Sequence, residues 1–320
     1  MISVTGLTKT YGSVCAVNNI SFEVAKGEIF GFLGPNGAGK TSTINIMTGL
    51  SRPDAGEIEL AGIDVRRQPK KAQAIMGIVP DESNLYNEMD GFDNLCFCAA
   101  LYGMPKSERE GKARRLLEQF RLDDTGKRPF KAFSKGMRRR LTIAAALIHS
   151  PQLLFLDEPT TGIDVESSRQ IRDLIRELKR QGTTIFLTTH YIEEAERICD
   201  RIAFIARGQI VAAGTLPELM ASVSHQHAIR FVTAGSTNTP AAELESQFPG
   251  SQVSIQADHS IVMTSKQRIP LLPVMKFLHN IGVEVHEARE LTPSLEDVFV
   301  KLTGIQSSAL TEPERKGSTR

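Results

Sequence analysis

The sequence has 320 residues, of which 41% are hydrophobic, so it is long enough to bury a large core and to form two domains. It carries 38 basic and 37 acidic residues, and this near balance excludes a general electrostatic field for nucleic-acid binding. The cysteines lack the paired spacing of zinc sites and the density of a disulfide scaffold, which predicts reduced thiols at Cys15, Cys96, Cys98 and Cys199.

Residues 1–219 are predicted to form an α/β domain, because short apolar runs alternate with helical patterns as in a largely parallel sheet. Within this domain, residues 84–150 are mostly helical and rich in basic residues, and we expect a helical subdomain there. Apolar residues at 171, 174, 175 and 178 predict an amphipathic helix that Gly182 ends. The predicted strands are Ile29–Leu33, Ile75–Pro80, Leu153–Asp157, Thr184–Thr189 and Ile202–Ala206.

Residues 220–304 are predicted to form a smaller accessory α+β domain with the β-α-β-β-α-β order of a ferredoxin-like unit. A last helix, Ser294–Thr303, has Ser294 as its N-cap and Asp297 in its first turn. Residues 305–320 are rich in polar and charged residues and are expected to be a disordered tail. The predicted elements are strand Ala228–Thr233, helix Pro240–Gln247, strands Gln252–Ala257 and Ser260–Thr264, helix Leu271–Ile281 and strand Val283–Ala288.

A phosphate-binding loop is predicted between the strand Ile29–Leu33 and a helical segment, Ser42–Leu50, from the pattern Gly-x4-Gly-Lys-Thr. Glycines let backbone N–H groups surround a phosphate, and the following helix directs its positive end at the same anion. Lys40 supplies a cation for the outer phosphates, and the Thr41 hydroxyl can bind magnesium. The expected nucleotide-binding residues are Gly34, Pro35, Asn36, Gly37, Ala38, Gly39, Lys40, Thr41 and Ser42.

Two adjacent carboxylates, Asp157 and Glu158, end the predicted strand Leu153–Asp157. Ligands of a parallel sheet bind at the carboxyl ends of its strands. We therefore expect Asp157 to bind magnesium and Glu158 to act as a general base on water beside the γ-phosphate. One carboxylate alone could simply mark a strand that leaves the core, but a phosphate loop in the same sequence disfavours that alternative.

The order and spacing of these motifs resemble the ATP-binding cassette (ABC) family of transporter ATPases. Phe133–Arg138 is similar to the signature loop of the family, and Thr161–Asp164 is similar to its D-loop. His190 follows a predicted strand, as the switch histidine of the family does, and Tyr11 corresponds to the aromatic residue that stacks on adenine. The resemblance spans about residues 1–219 and implies a cassette with a mostly parallel sheet, an antiparallel β edge and a helical subdomain.

This resemblance implies a head-to-tail homodimer in which ATP and Mg²⁺ lie between the phosphate loop of one subunit and the signature loop of the other. Ser134 and the backbone at Gly136 would approach the γ-phosphate across the interface, and His190 would sense that phosphate. Glu158, His190, Lys40, Ser134 and Gly136 are therefore the expected catalytic residues. The basic run Arg138–Arg140 is expected to be a solvated face or to form ion pairs, with no catalytic role.

The sequence departs from the common family pattern at two places. Lys135 and Met137 replace a glycine and a glutamine of the signature, although Ser134 and Gly136 remain, so hydrolysis is still expected. Asp81 replaces the usual glutamine after the strand Ile75–Pro80. A carboxylate at this position can approach magnesium or its water shell, but it accepts hydrogen bonds without donating them. Asp81 is accordingly a third candidate for the metal site, with Thr41 and Asp157.

The form of the signature, the single cassette and the ending Thr292–Phe299 resemble the ABC-2 subgroup, which serves exporters. No run approaches the ~20 apolar residues that cross a bilayer, and residues 1–6 show no secretory signal. We therefore expect a cytoplasmic subunit on the inner face of the cell membrane. A separate ABC-2 permease would dock near Asp81 and residues 85–104.

Two other functions compete with the exporter role. A soluble cassette ATPase acting on ribosomes or nucleic acid usually carries a second cassette, a long coiled coil or a zinc module, and none is visible, so no nucleic-acid partner is expected. A GTPase or small-molecule kinase is disfavoured because the sequence lacks an Asn-Lys-x-Asp guanine motif. The accessory domain could bind a small regulatory molecule, but stabilisation of the dimer or contact with the permease is preferred.

Overall fold

The computed structural model describes residues 1–223, 227–233, 241–256, 258–291 and 294–305. The predicted tail from residue 306 onwards lies outside the described residues, as do Pro240, Ala257, Thr292 and Pro293 of other predictions. The chain divides into two compact units, one formed by Met1–Leu216 with the described residues from Leu302 onwards, and the other by Pro217–Lys301. In the described ranges, no helix is both long enough and apolar enough to cross a membrane.

The elements of the first unit alternate between strands and helices along most of its length. In chain order they are β1 (Ile2–Tyr11), β2 (Val14–Val24), β3 (Ile29–Leu33), α1 (Lys40–Met47), β4 (Ala55–Leu60), β5 (Ile63–Asp64), α2 (Pro69–Ala74), β6 (Met76–Val79), α3 (Gly91–Leu101), α4 (Lys106–Gln119), α5 (Lys135–Leu147), β7 (Leu153–Asp157), α6 (Val165–Arg180), β8 (Thr184–Thr189), α7 (Ile192–Ile198), β9 (Arg201–Ala206) and β10 (Gln209–Thr215). Helix α8 (Leu216–Val223) follows at the boundary between the units.

The central sheet has the strand order β10-β9-β3-β8-β7-β6, and its strands are parallel except β10, which pairs antiparallel with β9. Strands β3, β7 and β8 are buried along their whole length, which explains their continuous apolar sequences. The register pairs Leu33 with Thr189 and Asp157 with Thr188. The residues that follow these strands therefore meet at one edge of the sheet.

A second, antiparallel sheet has the order β2-β1-β4-β5 and forms the antiparallel part of the first unit. Phe22 of β2 packs on three aromatic rings of the central sheet, with ring centroids 5.6 Å from Phe30, 5.6 Å from Phe32 and 5.8 Å from Phe186. These stacked rings fill the core between the two sheets, since all four side chains are buried.

Helices α3, α4 and α5 lie within the predicted helical subdomain and share a buried core with the central sheet. The Asp90 side chain caps α3 by accepting a hydrogen bond from the Asp93 amide at 2.8 Å. Cys96 and Cys98 of α3 are half-buried against this core, and burial raises the pKa of both thiols. They therefore pack as small apolar side chains, as their sequence context indicates.

The second unit follows the β-α-β-β-α-β order expected from the sequence. Its elements are β11 (His227–Thr233), α9 (Ala241–Gln247), β12 (Ser251–Ile255), β13 (Ile261–Ser265), α10 (Leu271–Asn280), β14 (Val285–Leu291) and α11 (Leu295–Thr303). The strands form an antiparallel sheet in the order β12-β13-β11-β14. Ser294 and Asp297 cap α11 reciprocally, because Ser294 Oγ accepts from the Asp297 amide at 3.1 Å and Asp297 Oδ2 accepts from the Ser294 amide at 2.8 Å.

Candidate functional site

The loop between β3 and α1 curves tightly because Gly39 adopts a left-handed conformation, with φ of 106°, directly before the helix. A Cβ atom at Gly39 would lie 2.2 Å from the Ala16 carbonyl oxygen, so a side chain does not fit there. The Thr43 hydroxyl donates to the Gly39 carbonyl at 2.8 Å and fixes the first turn of α1. The helix spans Lys40–Met47, so it begins and ends earlier than the predicted segment Ser42–Leu50.

Lys40 is the first residue of α1 and is only 6% exposed. Its ammonium donates to the Gly34 carbonyl at 2.7 Å and to the Pro35 carbonyl at 3.2 Å, which folds the side chain back over the loop. The same Nζ atom lies 3.2 Å from Glu158 Oε1. A buried ammonium is therefore held at the centre of the loop by carbonyl groups and by one carboxylate.

Asp157 ends β7 and lies beside the start of α1. Its carboxylate accepts hydrogen bonds from Thr188 Oγ1 at 2.5 Å and from the Thr41 side chain. Asp157 is 4% exposed, and burial raises the pKa of its carboxyl group, which these hydrogen bonds partly oppose. A divalent cation would offset the burial of this charge, and carboxylate and hydroxyl oxygens are ligands that Mg²⁺ accepts. The donor set thus fits the predicted metal.

Glu158 adopts a left-handed backbone conformation, with φ of 49°, which turns its side chain towards Lys40 and His190. Glu158 Oε2 lies 2.8 Å from His190 Nδ1 and accepts from the Thr161 hydroxyl at 3.0 Å. Burial by itself would raise the pKa of Glu158, but the hydrogen bond with His190 and the charge of Lys40 lower it to about 2. The ionised carboxylate is therefore strongly favoured at neutral pH.

A cavity of about 750 Å³ unites most of the predicted site residues. This volume lies within the usual range for small-molecule sites, roughly 300–1,000 Å³. The predicted residues that line it are Asn36, Gly37, Gly39, Lys40, Thr41, Ser42, Asp81, Asp157, Glu158 and His190. Glu82 and Thr161 line the same cavity, so acidic, basic and hydroxyl groups converge on one space at the carboxyl edge of the parallel strands.

Six predicted site residues do not line this cavity: Gly34, Pro35 and Ala38 of the loop itself, and Tyr11, Ser134 and Gly136. Tyr11 is 47% exposed, and its hydroxyl is 3.2 Å from Ser51 Oγ. Ser134 caps α5 by accepting from the Met137 amide at 3.2 Å. Gly136 packs tightly on α6, where a Cβ atom would lie 2.4 Å from Ser167 Oγ. The two signature residues thus contact α5 and α6, and neither lines the cavity that Lys40, Glu158 and His190 share.

Two buried charged residues that support the site were not predicted from the sequence. Glu194 on α7 accepts hydrogen bonds from Thr160 Oγ1 at 2.7 Å and from Thr189 Oγ1 at 3.0 Å, behind Glu158 and His190. Arg139 on α5 is 5% exposed and contacts the loops after β6 and β7. Its ion pair with Asp81 at 3.4 Å agrees with one of the two expectations for the basic run, but its burial does not agree with a solvated face. Its position four residues before buried Ile143 was the available signal, since both lie on one helix face.

The parallel sheet, the glycine-bounded loop with its lysine, and the carboxylate pair at the end of β7 define a phosphate-loop ATPase of the ATP-binding cassette type. A family profile described as ABC transporter matches residues 17–161. The chain therefore belongs to the ABC transporter family, and it binds and hydrolyses ATP.

Similar proteins extend this result over nearly the whole chain. A daunorubicin resistance ATP-binding protein of Streptomyces coeruleorubidus is 37% identical, covering 95% of this chain and 96% of that protein. A linearmycin resistance ATP-binding protein of Bacillus subtilis is 35% identical, covering 95% and 98%. A Nod factor export ATP-binding protein of Ralstonia nicotianae is 36% identical, covering 95% and 94%.

Solved structures support the cassette fold. The structure of an ATP-binding subunit of an ABC transporter is 31% identical with a TM-score of 0.64, covering 69% of this chain and 92% of that one. A dimeric, post-hydrolysis cassette bound to ADP and Pi is 26% identical with a TM-score of 0.63, covering 68% and 99%.

Proposed function

We propose that two copies of this chain bind two ATP molecules head to tail and that their hydrolysis drives a membrane exporter. The observation that carries the shared site is the split between the two halves of the catalytic set. Lys40, Glu158 and His190 line one cavity, whereas Ser134 and Gly136 lie outside it. A second copy that presents its signature loop to this cavity would complete the set.

Each residue of the cavity has a chemical role that follows from its position. Backbone N–H groups between Asn36 and Thr41 and the Lys40 ammonium hold the phosphates, and Glu158 accepts a proton from the attacking water. His190 lies 2.8 Å from Glu158 in the structure and contacts the γ-phosphate when ATP is bound. The partner's α5 directs its N-terminus and the Ser134 hydroxyl at the same phosphate. Catalysis rests mainly on positioning and on neutralisation of charge.

Magnesium would be held by the Thr41 hydroxyl and the Asp157 carboxylate, with Asp81 as a further oxygen donor at the edge of the cavity. When bound, the ion neutralises phosphate charge during transfer. Thr188 donates to Asp157 at 2.5 Å and so fixes the orientation of this carboxylate. Tyr11, half-exposed beside the loop that leads from α1 to β4, is proposed to stack on adenine.

A complementation experiment tests the shared site. Lys40→Ala and Ser134→Ala chains, carrying different tags, are each expected to hydrolyse ATP poorly. In a head-to-tail heterodimer of the two, one site combines both changes and the other contains neither. Phosphate release should therefore return in the purified heterodimer. Failure of the heterodimer to recover activity, with both chains folded, would contradict a site built from two subunits.

The exporter role is supported by relatives whose names describe drug resistance or Nod factor export and which match 95% of this chain. A separate ABC-2 type permease would bind the face formed by Asp81 and α3, and would hold the protein at the inner face of the cell membrane. Exposed apolar side chains at the end of α3 and before it, Leu101, Tyr102 and Tyr86, provide contact area for such a partner.

Capture of the tagged chain from detergent-solubilised membranes tests the permease partner. A multispan membrane protein should be recovered, and the matched variant Leu101→Asp should recover less of it while keeping its ATPase activity. Recovery of no membrane protein would contradict the exporter role and leave the ATPase assignment intact. Stimulation of hydrolysis by RNA or DNA would instead favour the ribosome or nucleic-acid alternative. Neither the fold nor the relatives support that alternative.

The accessory unit is proposed to stabilise the dimer or to contact the permease.

A further inference from the structure

Arg139 is a buried arginine that connects three parts of the first unit. Its Nη1 atom donates to the Pro80 carbonyl at 2.5 Å, and its Nη2 atom donates to the Asp81 carbonyl at 2.7 Å. Nη2 also lies 3.2 Å from the Glu158 carbonyl oxygen and 3.4 Å from Asp81 Oδ1. One guanidinium thus joins α5, the loop after β6 and the backbone of the proposed general base.

The neighbouring arginines have different surroundings. Arg140 Nη1 donates to the Phe120 carbonyl at 2.9 Å, so it holds the end of α4 inside the helical subdomain. The charge of Arg139 instead interacts with the carboxylates of Asp81, Asp157 and Glu158. Burial of an arginine is costly unless its donors are satisfied, and here carbonyl oxygens from two separate loops satisfy them.

We propose that Arg139 is a positioning residue that couples the two ATP sites of the dimer. The inference rests on the proposed head-to-tail arrangement. Asp81 and Glu158 belong to the site of their own chain, whereas Ser134, five residues before Arg139 on the same helix end, serves the site of the partner. Movement of the loops that hold Asp81 and Glu158 is therefore transmitted to the signature loop through α5, and so to the opposite nucleotide.

The guanidinium fits this role because of its shape. It is a rigid planar fork that donates in several directions at once, whereas a lysine ammonium is a point charge on a flexible stem. Arg139→Lys keeps the charge that faces Asp81, but it cannot bridge the carbonyls of Pro80, Asp81 and Glu158 together. The variant separates geometric coupling from simple neutralisation of charge.

The heterodimer of Lys40→Ala and Ser134→Ala chains provides the test, because its intact site takes the phosphate loop from the Ser134→Ala chain and the signature loop from the Lys40→Ala chain. Arg139→Lys is added to one chain at a time. We expect kcat to fall about tenfold in either placement, a size typical of coupling between sites. The KM for ATP should change by less than about threefold, which is below that range. In a homodimer that keeps Lys40 and Ser134, Arg139→Lys in both chains should lower the Hill coefficient for ATP.

The two placements distinguish coupling from local support. A loss confined to the chain that supplies the phosphate loop would overturn the coupling role, as would unchanged kcat in both placements. A parental heterodimer without activity would overturn the shared site itself, and this inference with it. Arg140→Lys in the same positions is the matched control and should leave kcat unchanged. Arg139→Gln, which leaves no buried charge, replaces the lysine variant if that chain does not fold, and the same loss is expected.

Discussion

Replacement of Glu158 by glutamine tests the chemistry of the site. The amide keeps the shape of the side chain and one acceptor oxygen, but it removes the charge that faces Lys40 at 3.2 Å and His190 at 2.8 Å. Loss of a general base lowers turnover by about 10²–10⁴-fold. We therefore expect phosphate release at saturating ATP to fall at least about 100-fold. Nucleotide affinity should be equal or tighter, because Lys40 no longer pairs with a carboxylate.

The same substitution has a consequence for stability that depends on pH. The pKa of Glu158 is lowered from 4.5 to about 2, which corresponds to about 3 kcal/mol of stabilisation of the folded chain. Because the folded-state pKa is the lower one, this contribution is present above pH 4.5 and is lost as the pH falls towards 2. Glu158→Gln should therefore lower the free energy of unfolding by up to about 3 kcal/mol at pH 7, and by less at pH 4.

Three measurements check this prediction: phosphate release, titration with a fluorescent ATP analogue, and urea unfolding at several pH values. Glu82→Gln is the matched control, since Glu82 lines the same cavity and loses the same charge. It should hydrolyse ATP at close to the parental rate, because the Glu82 side chain is exposed and is assigned no part in the reaction. A Glu158→Gln chain that kept more than a tenth of the parental turnover would refute the assignment of Glu158 as the base.

Three further substitutions follow from the structure. Ser134→Ala should lower hydrolysis while the phosphate loop of the same chain still binds nucleotide. Loss of the N-cap should lower the free energy of unfolding in urea by about 1 kcal/mol. A loss of nucleotide binding as large as the loss of hydrolysis would contradict a role in the partner's site. Gly136→Ala should destabilise the chain by about 1–3 kcal/mol through its contact with Ser167, and Ser167→Gly should restore part of that loss if the clash is its cause. Burial raises the pKa of Glu194 above 4.5, so the parent chain loses stability relative to Glu194→Gln as the pH rises through the folded-state pKa; a difference independent of pH would show that the carboxyl does not titrate with folding.

The strands of the central sheet were predictable because they are buried on both faces and read as continuous apolar runs. The observed bounds of β3, β7 and β8 are those predicted, whereas β6 is one residue shorter at each end and β9 begins one residue earlier. The antiparallel sheet was expected only as an unlocated edge. Its strand β2 contains the pair Asn18-Asn19, which is typical of a turn, and Asn19 indeed has a φ of 50°. The strand continues through this irregularity because its pairing with β1 shifts register instead of ending.

The site was predictable as far as its residues form local motifs. The phosphate loop and the carboxylate pair can be recognised from the sequence because the residues that act together are adjacent in it. Arg139 could not be placed in this way, since its hydrogen-bond partners Pro80 and Glu158 are 59 and 19 residues away along the chain. Composition indicates only that three arginines are present. Helix periodicity places Arg139 on the apolar face with Ile143, but only the fold supplies the carbonyl groups that it meets there.

The contacts of Glu158 link binding of ATP to its hydrolysis. Lys40 and His190 are both proposed to contact phosphates, and in the structure both contact the Glu158 carboxylate, on Oε1 and Oε2 respectively. A buried ion pair is disfavoured once one partner leaves, because the other charge remains without compensation. When Lys40 and His190 turn to the phosphates, Glu158 would keep the hydrogen bond from Thr161 at 3.0 Å and gain lone pairs free to accept from water. Thr161 belongs to the segment that resembles the D-loop, so the remaining support of the base comes from the region expected to face the partner. Release of the base and closure of the dimer are then parts of one rearrangement, which would keep hydrolysis slow in a single subunit.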